Sequence, residues 1–253
     1  MAEQQMESWD TAHSNYILQL ERYRTWFGIL VSEYFSSCSG KVTLDGLIGA
    51  VVSRARSDAD NLRQWIDEPI SLVAYCTRSL LELSTMMWSI DRNRDLGRWY
   101  GFMVRDLIEV VRKVTGTSAS EKTEMAKVLD DISVEYCAAG IAIPEHHENS
   151  KDEAQGAGYL KEYDEVNQLL SKYIHPTPLT LIGPEQLVDS VIVRRYFLMK
   201  SMKYLRTIYC LAAKQSGYNP AGAEVDVTRQ LAILRADLDP EVNPSSSKGG
   251  RRI

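Results

Sequence analysis

Cysteine is scarce in this chain: Cys38, Cys76, Cys137 and Cys210 lie far apart, and no two form a C-x-x-C pair. A zinc site or redox dithiol is not expected from that spacing, whereas core thiols in a reducing cytosol are. Surplus basic charge is also lacking, since 29 Lys and Arg face 34 Asp and Glu for a formal net charge of -5. A general nucleic-acid coat needs the opposite balance, although a local basic groove stays open. There is no Gly-rich phosphate loop, no G-x-S-x-G elbow and no H-E-x-x-H. Glu145-His146-His147-Glu148 places two histidines side by side, which cannot easily bind one ion, and it reads as a solvated loop. No metal or cofactor is expected. The opening MAEQQMESWD has neither a basic n-region nor an apolar h-region, and nothing reads as a spanning helix. A cytoplasmic protein with no membrane partner is the expectation.

What the chain has is ordinary globular material. Hydrophobic residues at 44% and charged residues at 25% across 253 positions allow a sizeable core. The organising stretch is Ile70 to Ile90, ISLVAYCTRSLLELSTMMWSI, which follows Pro69 and holds only two charges. Proline suits a first helical turn, and a helix that is apolar all round is buried. Its two charges, Arg78 and Glu82, are four apart and share one helical face. They are expected to be largely inaccessible, facing a polar spot inside a helical domain.

Helical spacing recurs along the rest of the chain. A first helix is predicted from Trp9 to Ser37, and a second runs from an N-cap at Thr43 to about Trp65. The middle of that second helix, SRARSDADN, reads as a solvated face or a kink. A fourth covers Leu96 to Val114. A capping box of Ser118 and Glu121 opens a fifth, with Met125, Leu129, Ile132, Tyr136 and Cys137 inward. Glu145 to Gly158 has no large apolar residue and is the best loop candidate. A sixth helix spans Tyr159 to Tyr173 and stops at His175-Pro176-Thr177-Pro178. The seventh runs from Pro184 to Gln215 and a short eighth from Ala223 to Asp237. The expectation is an all-α, multi-helix bundle of about eight helices, mostly antiparallel, with the third and seventh as its central pair. Residues 1–238 form this domain and 239–253 a disordered tail.

Three residues stand out chemically. Arg78 can grip an anion that Glu82 orients, or Glu82 can act as a base. His175 sits where a helix breaks, so it either caps the last carbonyls or aims its imidazole at the Arg78/Glu82 face. From Ser190 to Gly217 the seventh helix carries Arg194, Arg195, Lys200, Lys203, Arg206 and Lys214 with interleaved tyrosines and no acid. That combination suits RNA. Acids on the fifth and sixth helices make internal pairing the favoured alternative.

The pairing of R-S-L-L-E, Arg78 to Glu82, with S-K-Y-I-H-P-T, Ser171 to Thr177, resembles a broad family of uncharacterised bacterial all-helical proteins. Its members carry an R-x-L-x-E helix and a later S-x-[YF]-x-H-P-[ST] helix end, and are distantly similar to HEPN-type proteins, which include defence ribonucleases. The HEPN nuclease signature is an Arg followed four to six residues later by His, and no histidine of this chain has one. The expectation is a non-enzymatic binding or regulatory protein, in bacterial defence or stress by analogy, with its site at Arg78, Glu82 and His175. A protein partner or self-association is favoured over nucleic acid. The alternative is a divergent HEPN-like ribonuclease or other phosphate-directed enzyme using the same three residues.

Overall fold

The computed structural model describes residues 8–38, 43–93, 97, 99–102, 104–106, 119–138, 140, 150–175, 177 and 190–238. Its α-helices are α1 (Trp9–Leu30), α2 (Leu44–Trp65), α3 (Ile70–Asn93), α4 (Ala119–Ala138), α5 (Ser150–Gly156), α6 (Leu160–Ile174), α7 (Val191–Ser216) and α8 (Val227–Leu238). Residues 99–102 and 104–106 make a ninth helical stretch, and no described residue lies in a strand. The all-α bundle expected from the sequence is the fold observed.

The ends of the helices follow local chemistry. Thr43 Oγ1 accepts the Gly46 amide at 3.0 Å and Ser190 Oγ accepts that of Val193 at 3.3 Å, each filling a first-turn donor that lacks a backbone partner. Gly217 closes α7 in the left-handed region at φ 69°, where a Cβ would be strained. The expected cap at Ser118, the expected start at Pro184 and the tail 239–253 lie outside the described residues.

At the centre, α3 packs along α7 more extensively than any other pair of described elements. Val73, Leu80 and Leu81 of α3 are fully buried in the same core as Phe197, Leu205 and Ile208 of α7. This interface holds a polar tie. Thr77 Oγ1 donates to the Val73 carbonyl at 2.7 Å and lies 2.9 Å from Ser201 Oγ. A hydroxyl has one hydrogen, so Ser201 is the donor to Thr77. The tie satisfies two buried hydroxyls that would otherwise destabilise the core. Helix α2 covers α1 and α3, while α5 and α6 lie against α3 elsewhere.

Three expectations are corrected. Glu145 to Gly158 is not all loop, because α5 occupies Ser150–Gly156. Ala154 and Ala157 are fully buried there, and Arg92 Nη1 reaches the Gly156 carbonyl at 3.2 Å. A methyl group is a weak hydrophobic signal in sequence, yet its small size lets α5 approach α3. Among the cysteines, Cys76 and Cys210 are buried, with thiols pushed up to about 12 chiefly by burial, but Cys137 is exposed and Cys38 only partly covered. The helix α4 accordingly turns Met125 and Leu129, but not Cys137, towards cover.

The third correction is at the end of the first helix. Beyond Leu30 the chain widens into a π turn, Val31–Phe35, and tightens into a 3₁₀ turn, Ser36–Cys38. Tyr34, which falls at the helical spacing of Tyr23, Phe27 and Leu30, is exposed and stacks on Tyr218 at 4.9 Å. The π turn instead delivers Phe35 to the core, directly over Gly49 of α2. A Cβ on Gly49 would stand 2.7 Å from the Phe35 Cβ. Gly49→Ala should therefore destabilise by about 1–3 kcal/mol despite improving helix propensity. Urea unfolding tests this, and an unchanged or raised midpoint would mean the π turn yields freely.

Candidate functional site

Arg78 and Glu82 lie one turn apart on α3, with Arg78 Nε 3.2 Å from Glu82 Oε1. Their side chains are 31% and 40% exposed, which overturns the expectation of an inaccessible pair. The reason lies in the rest of their stripe. Tyr75, Ser79, Glu82, Leu83 and Met86 share this side of α3 and border an open groove. The opposite side, with Leu80 and Leu81, is fully buried. A helix apolar all round looked uniformly buried, but part of its apolar surface is groove wall.

The groove encloses about 780 Å³, within the usual range of ligand pockets. Arg54 borders it from α2, Trp99, Phe102 and Asp106 from the ninth helical stretch, and Glu153 from α5. Ile174 and His175 close it at the carboxyl end of α6. His175 caps that helix through its backbone, whose amide donates to the Ser171 carbonyl at 3.2 Å, in an extended conformation. Thr177 Oγ1 adds a bond to the Lys172 carbonyl at 3.1 Å. The imidazole is thus not needed for the cap, and it borders the groove from an exposed position. All three residues singled out in the sequence meet at one cavity.

A fourth charged residue was missed. Asp58, in the segment read as a solvated face or a kink, has no exposure at all. Ser79 Oγ donates to Asp58 Oδ2 at 2.6 Å, while Oδ1 faces Arg54 Nε at 3.4 Å, an ion contact without hydrogen-bond geometry. Burial raises the Asp58 carboxyl above the usual aspartate range, against the opposing pull of Ser79 and Arg54. The signal was present: Val51, Ala55, Asp58 and Leu62 recur at helical spacing, which sets Asp58 inside an apolar stripe. Composition of the surrounding polar run concealed it.

The basic residues of α7 are engaged within the fold. Glu162 of α6 receives Lys200 at 2.8 Å, Lys203 at 3.6 Å and the Tyr204 hydroxyl at 3.0 Å. Arg194 donates to the carbonyls of Ile66 and Glu68 at the end of α2, and Lys214 pairs with Asp91 of α3. Arg195 lies over the Trp9 ring at 5.9 Å. Glu162 is one of the acids expected to serve this helix, and Asp91 and Asp237 also pair with it although the sequence did not single them out.

Among the described residues no cluster of three or more His, Cys, Asp or Glu could hold a metal ion, and no helix is long and apolar enough to cross a membrane. His146 and His147 lie outside the described residues. Comparison with protein-family profiles, curated proteins and solved structures gave no match.

Two carboxylates, Glu82 at the groove and Asp58 behind Arg54, should respond differently to mutation. Glu82→Ala removes half of a solvent-screened pair, so it should change stability by less than about 1 kcal/mol. Asp58 binds its proton more tightly in the folded chain. Its stabilising contribution is complete below the ordinary aspartate range and is lost as pH rises through the raised value. Asp58→Asn should flatten that decline and leave stability at neutral pH equal or higher. Urea unfolding across acid to neutral pH measures both, and a large loss for Asp58→Asn at neutral pH would show that the charge itself holds α2 to α3.

Proposed function

We propose that this protein is a non-enzymatic binding or regulatory module of the cytosol, and that its site is the groove bordered by Arg78, Glu82 and His175. The observation that supports this reading is their convergence. Residues from two helices distant in sequence meet at a cavity large enough for a ligand, with apolar and aromatic walls and a few polar groups. The setting in bacterial defence or stress rests on resemblance alone. A partner protein or a second copy would engage the same open face.

A phosphate-directed enzyme is the second reading, favoured by the same convergence. Arg78 would hold phosphate, His175 would act as acid or base, and Glu82 would orient one of them. Against a ribonuclease stand the missing Arg-to-His spacing and the carboxylates of Glu82, Asp106 and Glu153 around the groove. Successive phosphates of an RNA strand would meet those carboxylates. The exposed basic residues that would track a strand are largely engaged along α7.

Two experiments separate these readings. With the Met86 methyl as an NMR reporter, fragments of mixed charge should shift that signal. The same fragments should lose effect in the Arg78→Gln/His175→Gln protein. No shift with any fragment would remove the groove as a site. Purified protein incubated with single-stranded RNA without added metal should leave it intact and show no salt-sensitive micromolar binding. Cleavage abolished by His175→Gln would establish the enzyme instead.

A further inference from the structure

We propose that the groove takes a ligand with a flat aromatic body and a single oxyanion, a carboxylate or a phosphate ester, held between Arg54 and Arg78. This rests on the groove being the binding site and names what it selects. The two guanidinium groups border the cavity from different helices, Arg54 from α2 and Arg78 from α3. Each is held by the carboxylate four residues further on, and in both cases the contact runs through Nε: Arg54 to Asp58 at 3.4 Å, Arg78 to Glu82 at 3.2 Å. With Nε engaged, the terminal nitrogens are the edge suited to a carboxylate or phosphate, and the Tyr75 hydroxyl stands beside that of Arg54. Both side chains keep access to solvent, at 50% and 31% exposure.

Asp58 gives the arrangement its direction. Holding a half-exposed arginine needs only a surface acid, whereas a fully buried carboxylate is costly to desolvate. Asp58 is buried, takes the Ser79 hydroxyl on one oxygen and turns the other, which has no hydrogen bond, towards Arg54. Such a supporting charge biases a recognition group towards one geometry before the ligand arrives. Asp58 is thus a positioning residue for Arg54.

The walls define the rest of the ligand. Trp99 and Phe102, largely buried, meet edge to face at 6.4 Å where they border the groove, and Tyr75 presents a ring that is 49% exposed. Flat aromatic groups pack best on such surfaces. Glu82, Asp106 and Glu153 border the same space, so a second anionic group would be repelled. One oxyanion is the charge that fits.

Titration of the full chain with indole-3-acetate and with phenyl phosphate tests this, with indole and inorganic phosphate as controls and the Met86 methyl as reporter. At least one aromatic oxyanion should bind about tenfold or more tighter than its control, and the two arms distinguish carboxylate from phosphate. Arg54→Gln and Arg78→Gln should each weaken that probe by about tenfold. Asp58→Asn should weaken it comparably without lowering the thermal midpoint, which a merely structural aspartate would not do. Binding of neither aromatic oxyanion more tightly than its control, or an affinity indifferent to Arg54→Gln, would overturn the proposal. So would a response confined to neutral or cationic fragments, which would leave the groove reading standing. Silence from every fragment would end both.

Discussion

Helix α3 can bury only one side against α7, and most of the molecule follows from that constraint. The shared face is closed by full burial of Val73, Leu80, Phe197, Leu205 and Ile208, and by the hydroxyl tie between Thr77 and Ser201. The tie favours one register, because sliding either helix by a turn would take the Thr77 acceptor away from the buried Ser201 hydroxyl. Once α7 occupies one side, α2, α5 and α6 can cover α3 only in part. The stripe from Tyr75 to Met86 is left as the wall of a groove. The candidate site is the uncovered remainder of the central helix.

That geometry explains what was legible in the sequence. Helix periods, the Thr43 cap and the pairing of α3 with α7 could be read because each depends on local chemistry or on long apolar runs. Arg78, Glu82 and His175 could be named because charges inside an apolar helix and a histidine at a helix break are anomalies. Their exposure could not be read. Leu83 and Met86 look identical in sequence whether they fill a core or line a groove, and only the positions of neighbouring helices decide. Asp58 was overlooked for the converse reason. It sits in a run of mostly polar residues, and its burial depends on an apolar stripe with Ala55 three residues before it and Leu62 four residues after.

Two carboxylates show how differently the fold treats buried charge. Glu162 is desolvated, which alone would raise its carboxyl. The hydrogen bond from Lys200, the charge of Lys203 and the Tyr204 hydroxyl outweigh that and hold it below the usual glutamate range. Its ionised form therefore stabilises the folded chain above the ordinary glutamate range and is lost as pH falls through the lowered value. Glu162 joins α6 to α7 and neutralises the basic helix from within. That role is structural.

Asp58 lacks that compensation. One hydroxyl and one arginine at 3.4 Å leave burial dominant, so the carboxyl is raised and its charge is a net cost to folding at neutral pH. A surface that needed only a tie between α2 and α3 could use an asparagine with the same Ser79 contact and avoid the cost. What asparagine cannot supply is a negative charge behind Arg54. Residues that weaken the fold while fixing a neighbour's direction are typical of binding sites. On the proposed reading, this contrast with Glu162 favours the Asp58–Arg54 side of the groove, beside the Arg78/Glu82 pair, over the basic face of α7.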